Sequence, residues 1–109
     1  MRIIGVDPGL KATGYEVAVA TDGIEAINSV KADRPDLILL DVMMPILNGF
    51  QACRQLKDDP QFKNIPVILL TAKSTESDQF WGIEAGADAY ITKPYNEKEL
   101  LVKIKELLH

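Results

Sequence analysis

The chain has 109 residues, a hydrophobic share of 47% and a formal net charge of -4. That length suits one domain with one core, and the acidic balance argues against a surface that tracks nucleic-acid phosphates. A lone Cys53 excludes an intrachain disulfide and a Cys-rich metal site, and the only histidine, His109, is the last residue. No apolar run is long enough to span a bilayer and no signal peptide is visible, so a soluble, cytoplasmic protein with no membrane partner is expected.

In chain order, Arg2 to Val6 and Tyr15 to Ala20 read as strands. Asp22 to Ala32 reads as a helix, with Asp22 its N-cap and Ile24, Ala26, Ile27 and Val30 facing inward. After Pro35, Leu37-Ile38-Leu39-Leu40 ends on Asp41. Such an apolar run suits a strand covered on both faces, as in a parallel sheet. Asn48 caps a second helix running to about Lys57, with Phe50, Cys53 and Leu56 inward. Val67 to Thr71 is a strand between Pro66 and a helix over Ser77 to Ala85, which Gly86 closes. Ala89 to Thr92 is a short strand. Asn96 to Leu108 is an amphipathic helix with Leu100, Leu101, Ile104, Leu107 and Leu108 as its stripe. Strands alternating with helices predict an α/β sandwich with a mostly parallel sheet.

Three predicted strand ends carry polar groups: Asp41, Thr71 and Lys93. In an open parallel sheet these ends share one edge, where ligands gather. The trio suits a phosphorylated carboxylate: aspartate as nucleophile, lysine against the phosphoryl oxygens, and a hydroxyl donating to them. Mg²⁺ would need further oxygen ligands. Each residue also has an ordinary reading. Thr71 is a β-branched strand residue, Lys93 a solvated lysine, and Tyr90 a packing aromatic.

From Gly14-Tyr15 onward the chain resembles the receiver domain of two-component response regulators. The resemblance rests on Asp22-Gly23, on Pro35-Asp36-Leu37 through Asp41-Val42-Met43-Met44-Pro45, and on Asn48-Gly49. It continues through Pro66 to Lys73, Gly86-Ala87-Asp88 and Tyr90-Ile91-Thr92-Lys93-Pro94-Tyr95. It implies a flavodoxin-like fold and a signalling role, with a histidine kinase or a small phosphodonor as partner. By resemblance Asp41 is the phosphoacceptor, Met43 offers a backbone carbonyl to the metal, Thr71 is the switch hydroxyl, Tyr90 the switch aromatic and Lys93 the phosphoryl-pairing lysine. The bond before Pro94 would be cis.

Residues 1–13 depart from that pattern, and Met1 to Gly14-Tyr15 resembles the first strand and turn of Holliday-junction resolvases of the ribonuclease H-like fold. There an acid equivalent to Asp7 binds metal. The chain therefore reads as one domain with a resolvase-like segment over 1–13 and a receiver-like segment over 14–109, an engineered chimera. Only Asp7 to Gly14 separate Val6 from Tyr15, fewer than a helical crossover takes. The expectation is a five-stranded, mostly parallel sheet lacking the first helix, its first strand antiparallel or exchanged with another copy. Asp7 would then sit at the sheet end away from Asp41, with Pro8 where a second acid would stand. Mg²⁺ binding should be weak or absent and phosphorylation impaired. A sheet face uncovered by the missing helix predicts a homodimer. Two other readings remain: a designed chain of altered topology with no activity, and a metal-dependent nuclease using Asp7.

Overall fold

The computed structural model describes residues 2–5, 16–20, 22–42, 46–71, 85–93 and 95–108. Five strands are formed: β1 (Arg2–Gly5), β2 (Glu16–Val19), β3 (Leu37–Asp41), β4 (Val67–Thr71) and β5 (Ala89–Thr92). Three helices accompany them among the described residues: α1 (Gly23–Ala32), α2 (Gly49–Asp58) and α3 (Glu97–Leu108). The expected helix over Ser77 to Ala85 lies almost wholly outside the described residues, as does Pro94.

The sheet order is β2-β1-β3-β4-β5, and every pair is parallel. β3 and β4 lie inside the sheet, and their apolar residues are buried on both faces, as uninterrupted Leu/Ile/Val runs require. Alternate residues divide the core into two layers. Ile38, Leu40, Val67 and Leu69 pack with Ala26, Ile27 and Val30 of α1 and Ala52, Cys53 and Leu56 of α2. Ile3, Leu37, Leu39, Ile68, Leu70 and Ile91 pack with Leu100 and Ile104 of α3.

The helix ends follow their sequence signals. Asp22 caps α1 by accepting from the Glu25 N–H at 2.8 Å. Asn48 and Gln51 form a reciprocal capping box on α2, at 2.9 and 3.0 Å. The Asn96 side chain accepts from the Glu99 N–H at 2.6 Å, starting α3. Gly86, at φ +85°, holds the left-handed turn expected of it.

Two expectations are corrected. The first strand is not antiparallel: β1 runs parallel to β2, with Arg2 level with Glu16 and Gly5 with Val19. The dozen-residue requirement assumes a helix in the crossover. A four-residue strand is only about 13 Å long, and the ten residues from 6 to 15 can reach about 33 Å. The link is therefore long enough to return along β1 without a helix. Nor is the second sheet face left open, because Ile3, Leu37 and Leu39 on it are fully buried within one chain. A smaller miss is Ile24, which is 47% exposed because it lies at the margin of the α1 stripe.

Candidate functional site

β3 leads its apolar run into the core and delivers Asp41 at its carboxyl end. The chain turns at once. The Val42 N–H still bonds to the Leu70 carbonyl of β4 at 2.8 Å, and the Gly49 N–H that opens α2 bonds back to the Val42 carbonyl at 3.2 Å. This return is so tight that a Cβ on Gly49 would stand 2.5 Å from the Asp41 carbonyl oxygen. The same turn is pressed against α1, where a Cβ on Gly23 would lie 2.2 Å from the Leu47 carbonyl oxygen. Glycine at both places is a packing requirement. Within the turn, Ile46 holds φ +69° while 76% exposed.

The register brings the other strand ends alongside. Asp41 is level with Leu70, Leu70 with Ile91, and Lys93 lies two residues beyond Ile91 on the same face. The Lys93 ammonium is ion-paired with Asp41 Oδ2, a contact between residues 52 apart in sequence. The Lys93 N–H bonds to the Thr71 carbonyl at 2.6 Å, which fixes where the lysine side chain starts. Thr71 closes β4 at 3% exposure, the one buried polar side chain among the described residues. Tyr90, level with Leu69, packs against the layer formed by α1 and α2, with its hydroxyl buried. Asp41, Thr71 and Lys93 thus gather on one edge, as their positions at strand ends predicted.

Asp7 and Met43 lie outside the described residues. Because β1 is parallel, its carboxyl end at Gly5 lies on the Asp41 edge, where the expected hairpin would have put its amino end. Mg²⁺ asks for one or two carboxylates, with waters and substrate phosphate completing its six oxygens. Asp41 meets the first demand in charge and place. Among the described residues no group of three or more His, Cys, Asp or Glu can hold a metal.

A second polar cluster was not anticipated. The Lys57 ammonium donates to Asp88 Oδ2 at 2.7 Å, the Ile65 carbonyl at 2.8 Å and the Lys63 carbonyl at 3.1 Å. Asp88 also accepts from the Val67 N–H at 2.9 Å, tying α2 to the amino end of β4. The partners are too far apart in sequence for a local pattern, and only Gly86-Ala87-Asp88 marked the place. Nearby, Cys53 is fully buried and bonds to the Ala85 carbonyl at 3.4 Å. Burial pushes its thiol up to about 12, with Lys57 lowering it and Asp88 raising it.

The response regulator receiver domain family matches residues 4–105. The chain belongs to that family. The match begins inside the segment expected to be resolvase-like, so β1 is part of the receiver pattern. Response regulator MprA of Mycobacterium leprae is 42% identical over 118 positions, covering 99% of this chain and 51% of that protein. An alignment of that length leaves at least nine positions of MprA without a counterpart among the 109 residues here. Response regulator PleD of Caulobacter vibrioides is 46% identical over 98 positions, covering 90% of this chain and 22% of PleD. The receiver thus spans about half or less of these relatives.

Among solved structures, a response regulator from Chloroflexus aurantiacus superposes with a TM-score of 0.90 at 32% identity, over 98% of this chain and 96% of that one. The receiver domain of the sensor histidine kinase PA1611 of Pseudomonas aeruginosa, solved with magnesium coordinated in its active-site cleft, gives 0.88 at 29% identity with the same coverage. The fold is the flavodoxin-like receiver fold with a parallel sheet. Among the described residues no helix is long and apolar enough to cross a membrane.

Proposed function

We propose that this receiver is a phosphoacceptor signalling domain whose only chemistry is phosphorylation of its own Asp41. The observation that carries the reading is the Lys93–Asp41 ion pair at the carboxyl edge of the sheet, with Thr71 closing the strand between them. An Asp41 carboxylate oxygen attacks the phosphorus of a phosphohistidine on a kinase, or of acetyl phosphate. The P–N or P–O bond to the donor breaks, the leaving group takes that electron pair, and Asp41 holds an acyl phosphate. Lys93 keeps an anionic partner throughout, passing from the carboxylate to a phosphoryl oxygen as negative charge moves outward. The Thr71 hydroxyl donates to a second phosphoryl oxygen, and Tyr90 on the same sheet face follows Thr71 as the switch aromatic.

Mg²⁺ would be held by Asp41, Asp7 and the Met43 carbonyl, and it supplies charge neutralisation between donor and acceptor. With Pro8 beside Asp7, a second acid is missing, so Mg²⁺ binding is weak and phosphorylation slower than a full acidic pair would allow. A cytoplasmic location, with a histidine kinase as donor, goes with this reading. The resolvase-like motif of residues 1–13 and the shortened β1–β2 link support a hybrid, engineered origin within one receiver-like domain over 1–109. A homodimer belongs to the proposal too. Its support is now the half-buried Leu101, Leu107 and Leu108 beside the exposed Val102 of α3, in place of an open sheet face. A single monomeric mass by light scattering across a wide concentration range would remove that part.

The deciding test is intact mass after incubation with acetyl phosphate and Mg²⁺. One added phosphoryl group on the parent and none on Asp41→Asn is expected. No addition to either would favour the designed, inactive chain. Cleavage of branched DNA dependent on Asp7 would be needed to revive the nuclease reading.

A further inference from the structure

Among the described strands β5 is the outermost, paired on one side only, with β4, and of its four residues only Ile91 is buried. An edge strand that gives so little to the core takes its register weakly from packing. A one-residue slip would turn Tyr90 and Ile91 into the wrong layers, but a two-residue slip keeps each on its own face. A reciprocal clamp stands at the entry of the strand. The Asp88 N–H donates to the Val67 carbonyl at 2.9 Å, and the Val67 N–H donates to Asp88 Oδ2 at 2.9 Å. The second bond runs through a side chain, so it belongs to residue 88 alone. A two-residue slip would bring Gly86 or Tyr90 level with Val67, and neither carries a carboxylate. The Lys57 ammonium of α2 bonds the same Asp88 oxygen at 2.7 Å and the Ile65 carbonyl at 2.8 Å, so one cation holds the entries of both strands.

We propose that Asp88 is a positioning residue for the phosphoacceptor site: through its bonds to Val67 and Lys57 it sets the register of β5 on β4, and so the level at which Lys93 meets Asp41. The inference rests on the reading of Asp41 and Lys93 given above. The connection from clamp to site is continuous. Ala89 to Thr92 pair residue by residue with Ile68 to Thr71, and the Lys93 N–H closes the ladder on the Thr71 carbonyl at 2.6 Å. Asp88 acts from the amino edge, about 17 Å of strand from Lys93, and touches no reacting group. A two-residue slip moves β5 by about 6.6 Å along β4, beyond the about 4 Å within which an ammonium and a carboxylate pair. It would stand Ile91 or Tyr95 at the level where Lys93 now meets Asp41, and neither is a cation.

The test reads the register directly and adds the rate of phosphorylation by acetyl phosphate. NMR contacts between the backbone protons of Leu69 and Leu70 and those of Tyr90 and Ile91 report the β4–β5 ladder. Contacts from the Lys93 ε protons to the Asp41 β protons report the ion pair. Asp88→Ala is expected to lose or shift both sets and to slow phosphorylation about ten-fold or more. Asp88→Asn, which keeps an oxygen to accept from the Val67 N–H, is expected to restore the contacts and most of the rate, while losing the charge that faces Lys57 lowers Tm. Val30→Ala, a cavity in α1 away from the clamp, is expected to lower Tm and leave contacts and rate as in the parent. Asp88→Glu, which keeps the charge but displaces the oxygen, is the milder variant if Asp88→Ala does not fold, and a smaller loss in the same direction is expected. Parent contacts in Asp88→Ala would overturn the inference, as would lost contacts with an unchanged rate, equal losses in Val30→Ala, or no rescue by Asp88→Asn. Should the parent take up no phosphoryl group, the phosphoacceptor reading fails, and the contacts alone still decide whether Asp88 sets the level of Lys93.

Discussion

Alanine at position 49 should destabilise the domain, although the same change in an ordinary helix stabilises it. Relative to glycine, alanine gains about 1 kcal/mol of helix propensity. Here its Cβ would lie 2.5 Å from the Asp41 carbonyl oxygen and 2.9 Å from the carbonyl carbon. A comfortable carbon–oxygen contact needs about 3.3 Å, so the start of α2 must retreat by about 0.8 Å. Both sides of the clash are backbone, so no rotamer absorbs it. Overpacking of this kind costs about 1–3 kcal/mol, and the strained capping box adds to it. The net expectation is a loss of about 1–2 kcal/mol, or a fall of about 5–10 °C in Tm for a domain of this size. Because the retreat pulls on Asp41, the proposed phosphoacceptor, phosphorylation by acetyl phosphate should slow about ten-fold or more. Thermal unfolding and intact-mass time courses on Gly49→Ala measure both. A Tm equal to or above the parent would refute the argument, since it would mean that α2 can move off Asp41 at no cost.

Replacing Ile46 by glycine should raise stability by about 1 kcal/mol, because the left-handed backbone at φ +69° penalises a β-branched residue whose exposed side chain contributes little burial; the urea midpoint reads it. Lys57→Met should cost about 2 kcal/mol in the same assay, since the ammonium bonds to Asp88 and the Ile65 and Lys63 carbonyls at once. The Cys53 thiol, raised by burial from 9.0 to about 12, should resist thiol reagents until the chain unfolds. The raised value favours the protonated thiol in the folded state, so this contribution is whole below pH 9.0 and is lost as pH climbs toward about 12. Relative to Cys53→Ala, the parent should therefore lose about 1.4 kcal/mol per pH unit across that window, measured by urea unfolding at about pH 8 and about pH 10.

The site edge was legible because its signals are local. An apolar run ending on Asp41 reads as a buried strand with an acid at its exit, and Asp22 and Asn48 announce the helices that flank the turn. The gathering of Thr71 and Lys93 beside Asp41 followed from strand order alone. The direction of β1 did not, because connection length was weighed against a helical crossover when the distance to be covered was only that of a very short strand. Ile24 was misjudged because helical periodicity does not say where a stripe ends. The Lys57–Asp88 bond and the Arg2–Asp36 bond join residues 31 and 34 apart, and nothing in either neighbourhood names its partner. Asp41, Thr71 and Lys93 are brought together as expected, while Asp7 and Met43 lie outside the described residues.

The place of β1 between β2 and β3 also orders the assembly of the domain during synthesis. β1 can pair with β2, its neighbour in sequence, as soon as both are made, but its other edge stays bare until β3 emerges. From then on each new strand docks on the edge the previous one has just completed, β4 on β3 and β5 on β4, so no later strand has to be threaded between two others. From the pairing of β1 with β3 onward the loops to be closed shorten, which slightly lowers the entropy to be overcome at each addition. Lys93 reaches Asp41 only when the last strand is in place.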